Sequence, residues 1–216
     1  MFSSDEKNFL VGGLRPFGIS LSEINLQKLA SLVEALLEWN SRINLTAITK
    51  KEEVLEKHLI DSLALLPHLN DGSLMDVGAG AGFPGLPVAI IQPERRIVLV
   101  EATRKKVEFI REVVRILDLP GCETTWAHLP DKKIILKTNQ IVSRGTFKVK
   151  DFLRGTLPSL EPHGRLILMK GKLPSDELKG IDQLIHKARL RQSIVPYQLP
   201  YSRAERTLII WDKLMA

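Results

Sequence analysis

Three glycines at alternate positions, Gly78, Gly80 and Gly82, follow the apolar run Leu74-Met75-Asp76-Val77 and precede Phe83-Pro84-Gly85-Leu86-Pro87. A strand entering such a segment can turn sharply, because glycine takes positive φ without a Cβ clash and lets a ligand approach the main chain. A helix opened by Pro84 or Pro87 then aims its free amides at that ligand. The chemistry is that of a nucleotide-like cofactor site. Gly80, Gly82 and Gly85 also satisfy the dinucleotide pattern G-x-G-x-x-G, which by itself is weak evidence. Glu101, at the end of the next apolar run, is placed to accept from two ribose hydroxyls, which NAD and S-adenosylmethionine both offer. Asp76 separates the two ligands, since a carboxylate at this turn repels a pyrophosphate and attracts the ammonium of a methionine moiety. The competing role for Asp76 is to cap the glycine turn with its own side chain.

The elements that must hold these residues are readable from periodicity. Leu21, Ile24, Leu29, Leu32, Val33 and Leu36 recur at helical spacing up to about residue 40, and Ser20 with Glu23 matches a capping box. Thr49 with Glu52 matches a second box, opening a helix whose stripe is Val54, Leu55, Leu59, Leu63 and Leu66, stopped at Pro67. Residues 1–70 are therefore expected to be a helical N-terminal region packed on a core domain of residues 71–216. From residue 71 the rhythm becomes that of βαβ units in an α/β fold. Strands are expected at 73–77, 96–101, 122–126, 140–143 and 165–169, with helices near 85–91, 104–117, 148–160 and 175–188. The β-rich runs 193–198 and 206–211 have no helical period between them and must pair through a reversal, so the last strand should enter a mostly parallel seven-stranded sheet antiparallel.

Composition narrows the classes further. With 216 residues, 44% of them hydrophobic, the chain can bury one substantial core. No apolar run approaches the roughly 20 residues a membrane span needs, and the acidic start MFSSDEKNFL is unlike a signal peptide, so a cytoplasmic protein is expected. One cysteine, Cys122, excludes an intramolecular disulfide and a cysteine-based zinc site, and reads as a small structural residue. Residues 1–100 carry 9 basic and 12 acidic side chains, and residues 101–216 carry 22 and 13. The second part is thus +9, a bias suited to a polyanion such as RNA, although solvated helix faces give the same count.

Beyond the glycine segment stand Asn44-Leu45-Thr46, His58 with Asp61-Ser62, Lys105-Lys106 with Phe109, Val142-Ser143-Arg144, Lys170-Gly171 and Glu205-Arg206. Taken with DVGAGAGFPGLP, these resemble the small-subunit ribosomal RNA guanine-N7 methyltransferase family, also called glucose-inhibited division protein B, over roughly residues 35–211. The FPGLP extension is more specific than the glycines. The resemblance implies a class I S-adenosylmethionine-dependent methyltransferase fold, S-adenosylmethionine as methyl donor, and N7 of a guanine in 16S ribosomal RNA as acceptor. Its partner would be small-subunit ribosomal RNA or the assembled small ribosomal subunit. It would be a monomer, without a metal and without a membrane.

Carried over residue by residue, the resemblance puts Asp76, Gly78, Gly80, Phe83, Ala102 and Thr103 along the cofactor and Glu101 at the ribose. It puts Leu129 and Pro130 beside the adenine and Arg144 near the reacting groups as the catalytic residue. Pro130 has no amide to donate, a departure from the family's pattern that makes a non-catalytic RNA-binding module on a methyltransferase scaffold the alternative. Arg165, Lys170 and Arg206 are candidate RNA contacts, since they flank strand ends in the basic portion. His58 reads as a helix-packing residue, whereas Asp61-Ser62 suits either packing or the cofactor pocket. Asn44 is expected to pin the inter-helix loop. Trp39, Trp126 and Trp211 sit in apolar runs and are expected in the core.

Overall fold

In a computed structural model of the protein, residues 1–128 and 136–215 are described. Leu129 and Pro130, expected beside adenine, lie outside these described residues. The strands β1 (Leu74–Val77), β2 (Ile97–Glu101), β3 (Cys122–Trp126), β4 (Thr138–Arg144), β5 (Leu160–Lys170), β6 (Leu190–Gln198) and β7 (Glu205–Lys213) form one sheet. Its order is β3-β2-β1-β4-β5-β7-β6. Pairing is parallel from β1 through β5, and β7 runs antiparallel to both β5 and β6. This is the class I methyltransferase architecture expected from the sequence.

The two-residue period of the strands divides the core. Leu74, Ile97 and Leu99 face one buried cluster, while Met75, Val77, Val98 and Val100 face the other. The first face is covered by α1 (Ser4–Leu14), α2 (Glu23–Asn40), the helical stretch from α3 (Lys51–Val54) to α4 (Asp61–Leu63), α5 (Gly85–Ile91) and α6 (Arg104–Ile116). Leu10, Leu29, Leu59 and Leu99 belong to that one cluster, so the N-terminal helices bury their apolar stripes directly against the sheet. The second face carries α7 (Val149–Thr156), α8 (Ser175–Leu178) and α9 (Asp182–Lys187). No helix among the described residues is long and apolar enough to cross a membrane.

Local chemistry shifts several expected boundaries. The capping box forms at Ser3 and Glu6, which opens α1. Ser22 rather than Ser20 caps α2, its Oγ accepting from the Asn25 amide at 3.2 Å, while Glu23, the first residue of the helix, pairs with Lys7 of α1. Thr49 makes no cap either: α3 starts after Lys50 with no side-chain acceptor at its N-terminus. The helix expected over 175–188 is two helices, separated around Gly180 at φ +74°, a conformation that glycine adopts without strain. Expected as a strand only from 165, β5 begins at Leu160, since α7 ends at Thr156.

Candidate active site

Chain order in the sheet reverses between β1 and β4, and the crevice outside the carboxyl ends of strands at such a point is where α/β sheets bind ligands. Gly78, Gly80 and Gly82 turn the chain there with φ of +68°, +60° and +84°. At Gly78 an added Cβ would come within 2.8 Å of Thr146, whose hydroxyl donates to the Gly78 carbonyl at 3.2 Å. Among the described residues a Cβ on Gly80 would meet nothing within 4 Å, so the main chain here borders an open cradle. The Gly80 amide donates to Glu101 Oε2 and the Thr103 amide to Glu101 Oε1, each at 2.8 Å. Both bonds fix the carboxylate at the end of β2 while leaving each oxygen a further lone pair for a ribose hydroxyl. Ala102 and Thr103 lie exposed beside it.

Asp76 is wholly buried one residue before the end of β1. Its Oδ2 accepts from the Gly85 amide at 2.8 Å, capping α5, and Gly85 is glycine because a Cβ would come within 2.5 Å of Leu99 and 3.0 Å of that same oxygen. Oδ1 is buried without a hydrogen-bond partner among the described residues. Burial pushes the carboxyl up to about 7, against the opposing pull of the Gly85 amide and Arg144. Capping thus uses one oxygen of this side chain and leaves the other without a described partner.

Arg144 ends β4 and turns its guanidinium toward the N-terminal helices. Between α3 and α4 the chain makes a π turn, Leu55–Ile60, in which the Asp61 amide donates to the Glu56 and His58 carbonyls. The carbonyl of Lys57, which an α-helix would give to Asp61, accepts instead from Arg144 Nη1 at 2.8 Å. Arg144 Nη2 meets His58 Nδ1 at 3.0 Å, and Asp61 lies 3.4 Å from Nη1. Since guanidinium only donates, His58 carries its proton on Nε2 and donates to Thr46 Oγ1 at 3.0 Å. Burial and then the Arg144 charge hold His58 down at about 3, so the ring is neutral. It stacks on Phe83 with centroids 4.7 Å apart, and Arg144 lies 5.6 Å from the Phe83 centroid. His58 therefore does pack the helices, as expected, and also joins the site.

Asp61 is shared more widely: Tyr197 donates to its Oδ1 at 2.8 Å, and Arg206 Nε lies 3.2 Å from both oxygens. The loop before α3 is pinned by Asn40, whose Oδ1 accepts from the Leu45 and Thr46 amides, while Asn44 is exposed.

The three residues expected at RNA are each engaged by a carboxylate. Arg206 holds Asp61, on the rim of a groove of about 480 Å³ that Lys172, Tyr197 and Gln198 also line. Lys170 pairs with Glu177 at 3.0 Å. Arg165 must be corrected: it aligns with Gln140 at the level of Leu74, the opposite end of the strands from Glu101, and is bound by Asp212 and the His68 carbonyl. It braces β5 to β7. Trp126 also departs from expectation. Trp211 is buried and Trp39 packs edge-on against Phe109, but Trp126 is 59% exposed because it ends β3, at the sheet's edge. Cys122 is buried, with its thiol pushed up to about 12 by burial, as suits a structural residue.

Residues that spacing alone did not reveal are Tyr197, Thr146 and the Lys57 carbonyl. Thr46 had a signal, since it stands in the quoted Asn44-Leu45-Thr46 motif.

The profile of the family described as GidB: rRNA small subunit methyltransferase G matches residues 25–207. Proteins named ribosomal RNA small subunit methyltransferase G from Geobacter sp. (strain M21) and Myxococcus xanthus are 36% and 37% identical, covering 94% of this chain in both cases and 96% and 95% of their own lengths. Among solved structures, a methyltransferase from Pyrococcus furiosus aligns with a TM-score of 0.61 at 13% identity, covering 88% of this chain and 99% of that one. A SAM-dependent methyltransferase from Aquifex aeolicus aligns at 0.56 and 18%, covering 75% and 93%. At such identities the structural likeness speaks for the fold alone.

Proposed function

The chain belongs to the rRNA small subunit methyltransferase G family, and from that premise we propose that it transfers a methyl group from S-adenosylmethionine to N7 of a guanine in 16S ribosomal RNA. The observation that carries the reading is the arrangement at the carboxyl ends of β1, β2 and β4: an open glycine cradle, a fixed Glu101 carboxylate and an oriented Arg144 guanidinium around one crevice.

The donor set suits S-adenosylmethionine. Glu101 would accept from the ribose hydroxyls, the unpartnered Oδ1 of Asp76 favours a cationic methionine end, and Gly80 leaves room at the main chain. When bound, this group supplies a methyl on a positively charged sulfur, open to in-line displacement. Guanine N7 has a free lone pair at neutral pH, so the protein's task is alignment and no general base is required. His58 agrees with that requirement, because one ring nitrogen is committed to Arg144 and the other to Thr46. Of the five donors of Arg144, those beyond its bonds to Lys57, Asp61 and His58 suit guanine O6 or a flanking phosphate. Leu129 and Pro130 belong to the reading as adenine neighbours, and Lys170 and Arg206 as RNA contacts at the rim. The working form in this reading is a cytoplasmic monomer, consistent with exposed apolar side chains such as Ile24, Ile116 and Ile194 lying on separate elements.

The test is incubation of purified chain and labelled S-adenosylmethionine with small subunits that lack the modification, followed by chemical cleavage at N7-methylguanosine. Label in 16S RNA and one new cleavage site are expected. Binding of RNA and no transfer would favour the non-catalytic alternative.

A further inference from the structure

Trp126 is an exposed aromatic whose placement needs a purpose. Its indole Nε1 donates to the Ala102 carbonyl at 2.8 Å, which fixes the ring although 59% of the residue is open to solvent. Arg104 lies over the ring with its guanidinium carbon 5.9 Å from the centroid. Trp126 is in register with Glu101, so the indole stands on the strand next to the carboxylate that would hold the cofactor ribose. Around it, Thr103, Arg104, Lys105 and His128 are exposed.

A solvent-exposed tryptophan costs apolar hydration that a polar side chain at a strand end would avoid. Here the indole is also oriented, which removes much of the rotational freedom that stacking would otherwise cost. A fixed aromatic face with a guanidinium over it and cationic side chains nearby is the arrangement that takes an unpaired nucleobase, with the cations serving its phosphates. Charge decides against a protein's apolar side chain as occupant, since the guanidinium of Arg104, paired at 3.4 Å with the exposed Glu108, lies over the ring and would lose hydration under an apolar cover.

We propose that Trp126 and Arg104 form a stacking platform for an unpaired base of the RNA substrate, at the edge of the sheet three strands across from the Arg144 cluster. The proposal rests on the RNA-methylating reading of the site. The platform is separate from the Arg144 cluster and leaves the glycine turn untouched.

The test compares wild type with Trp126→Ala and Trp126→Phe, using small subunits as substrate, an unstructured RNA decamer as binding probe, and calorimetry with S-adenosylmethionine. Loss of one stacked base at roughly 1–3 kcal/mol corresponds to about a 5- to 150-fold weaker RNA affinity in Trp126→Ala. Trp126→Phe should recover most of this, with S-adenosylmethionine affinity unchanged in both variants. Quenching of tryptophan fluorescence by the decamer in wild type should disappear in Trp126→Phe. Unchanged RNA affinity in an active Trp126→Ala overturns the platform alone, as does a loss confined to S-adenosylmethionine binding, which would make the ring a cofactor contact. A wild type that methylates no RNA overturns the reading beneath it.

Discussion

Arg144 Nη1 donates to the Lys57 carbonyl oxygen at 2.8 Å, a bond made possible because the π turn takes the Asp61 amide elsewhere. A helical defect in the N-terminal region thereby sets the direction of a side chain that ends a central strand. His58 and Asp61, from the same turn, complete the hold on that guanidinium.

Replacing Arg144 by Lys keeps the charge and loses the fork. An ammonium cannot reach the Lys57 carbonyl, His58 and the crevice together, so kcat should fall on the order of 100-fold, the penalty for small misplacements at reacting centres. S-adenosylmethionine affinity, measured by calorimetry, should change far less. Equal loss in both would place Arg144 in cofactor binding only.

Asp61→Asn leaves two half-buried arginines and the Tyr197 hydroxyl sharing a neutral amide. Breaking a buried pair from one side costs about 3–5 kcal/mol, which should appear as a lower denaturant midpoint at unchanged slope. A midpoint equal to wild type would mean that the two arginines find other partners.

His58 titrates at about 3 in the fold against 6.5 in a free chain, with burial as the main cause. The unfolded state therefore binds the proton first, and the contribution of neutral His58 is lost as pH falls from about 6.5 toward 3. Urea melts across this window should show a shallower slope in His58→Gln. An identical slope would show that other groups carry the acid dependence.

Asp76 behaves oppositely, with its carboxyl raised from 3.8 to about 7 by burial. This contribution to folding is complete below about 4 and is lost as pH rises through 7. A cationic ligand at Oδ1 selects the ionised form, so S-adenosylmethionine affinity should climb as pH rises through 7, with release of up to one proton. Calorimetry in buffers of different ionisation enthalpy reads that proton, and Asp76→Asn should remove it.

Much of this architecture is written locally. The glycine turn and Glu101 were legible because residue type and strand-end position together specify their conformation and chemistry. The sheet was legible because apolar runs alternate with helical stretches on either side of β3 and β4, and the reversal of β7 followed from the missing helix before it. Helix starts were less so. Ser20-Glu23 and Ser3-Glu6 present the same pattern, yet only the second forms a box, while α2 begins at Glu23 itself with Ser22 as its cap. Arg165 and Arg144 look alike as strand arginines, yet one faces Asp212 at the far end of the sheet and the other the π turn. Trp126 reads as core in the sequence because hydrophobicity carries no information about which strand is at the edge. The π turn itself has no local signature, since its partner for Lys57 stands 87 residues away.

The insertion of β7 between β5 and β6 also orders events during synthesis. β6 leaves the ribosome before β7, yet among the described strands β7 is its sole neighbour. Until β7 follows, β6 has nowhere to dock and the outer edge of β5 stands open, which is the condition under which nascent strands pair with the wrong chain. Folding of this enzyme is therefore exposed to aggregation for as long as β6 is free and β7 has not yet paired with β5.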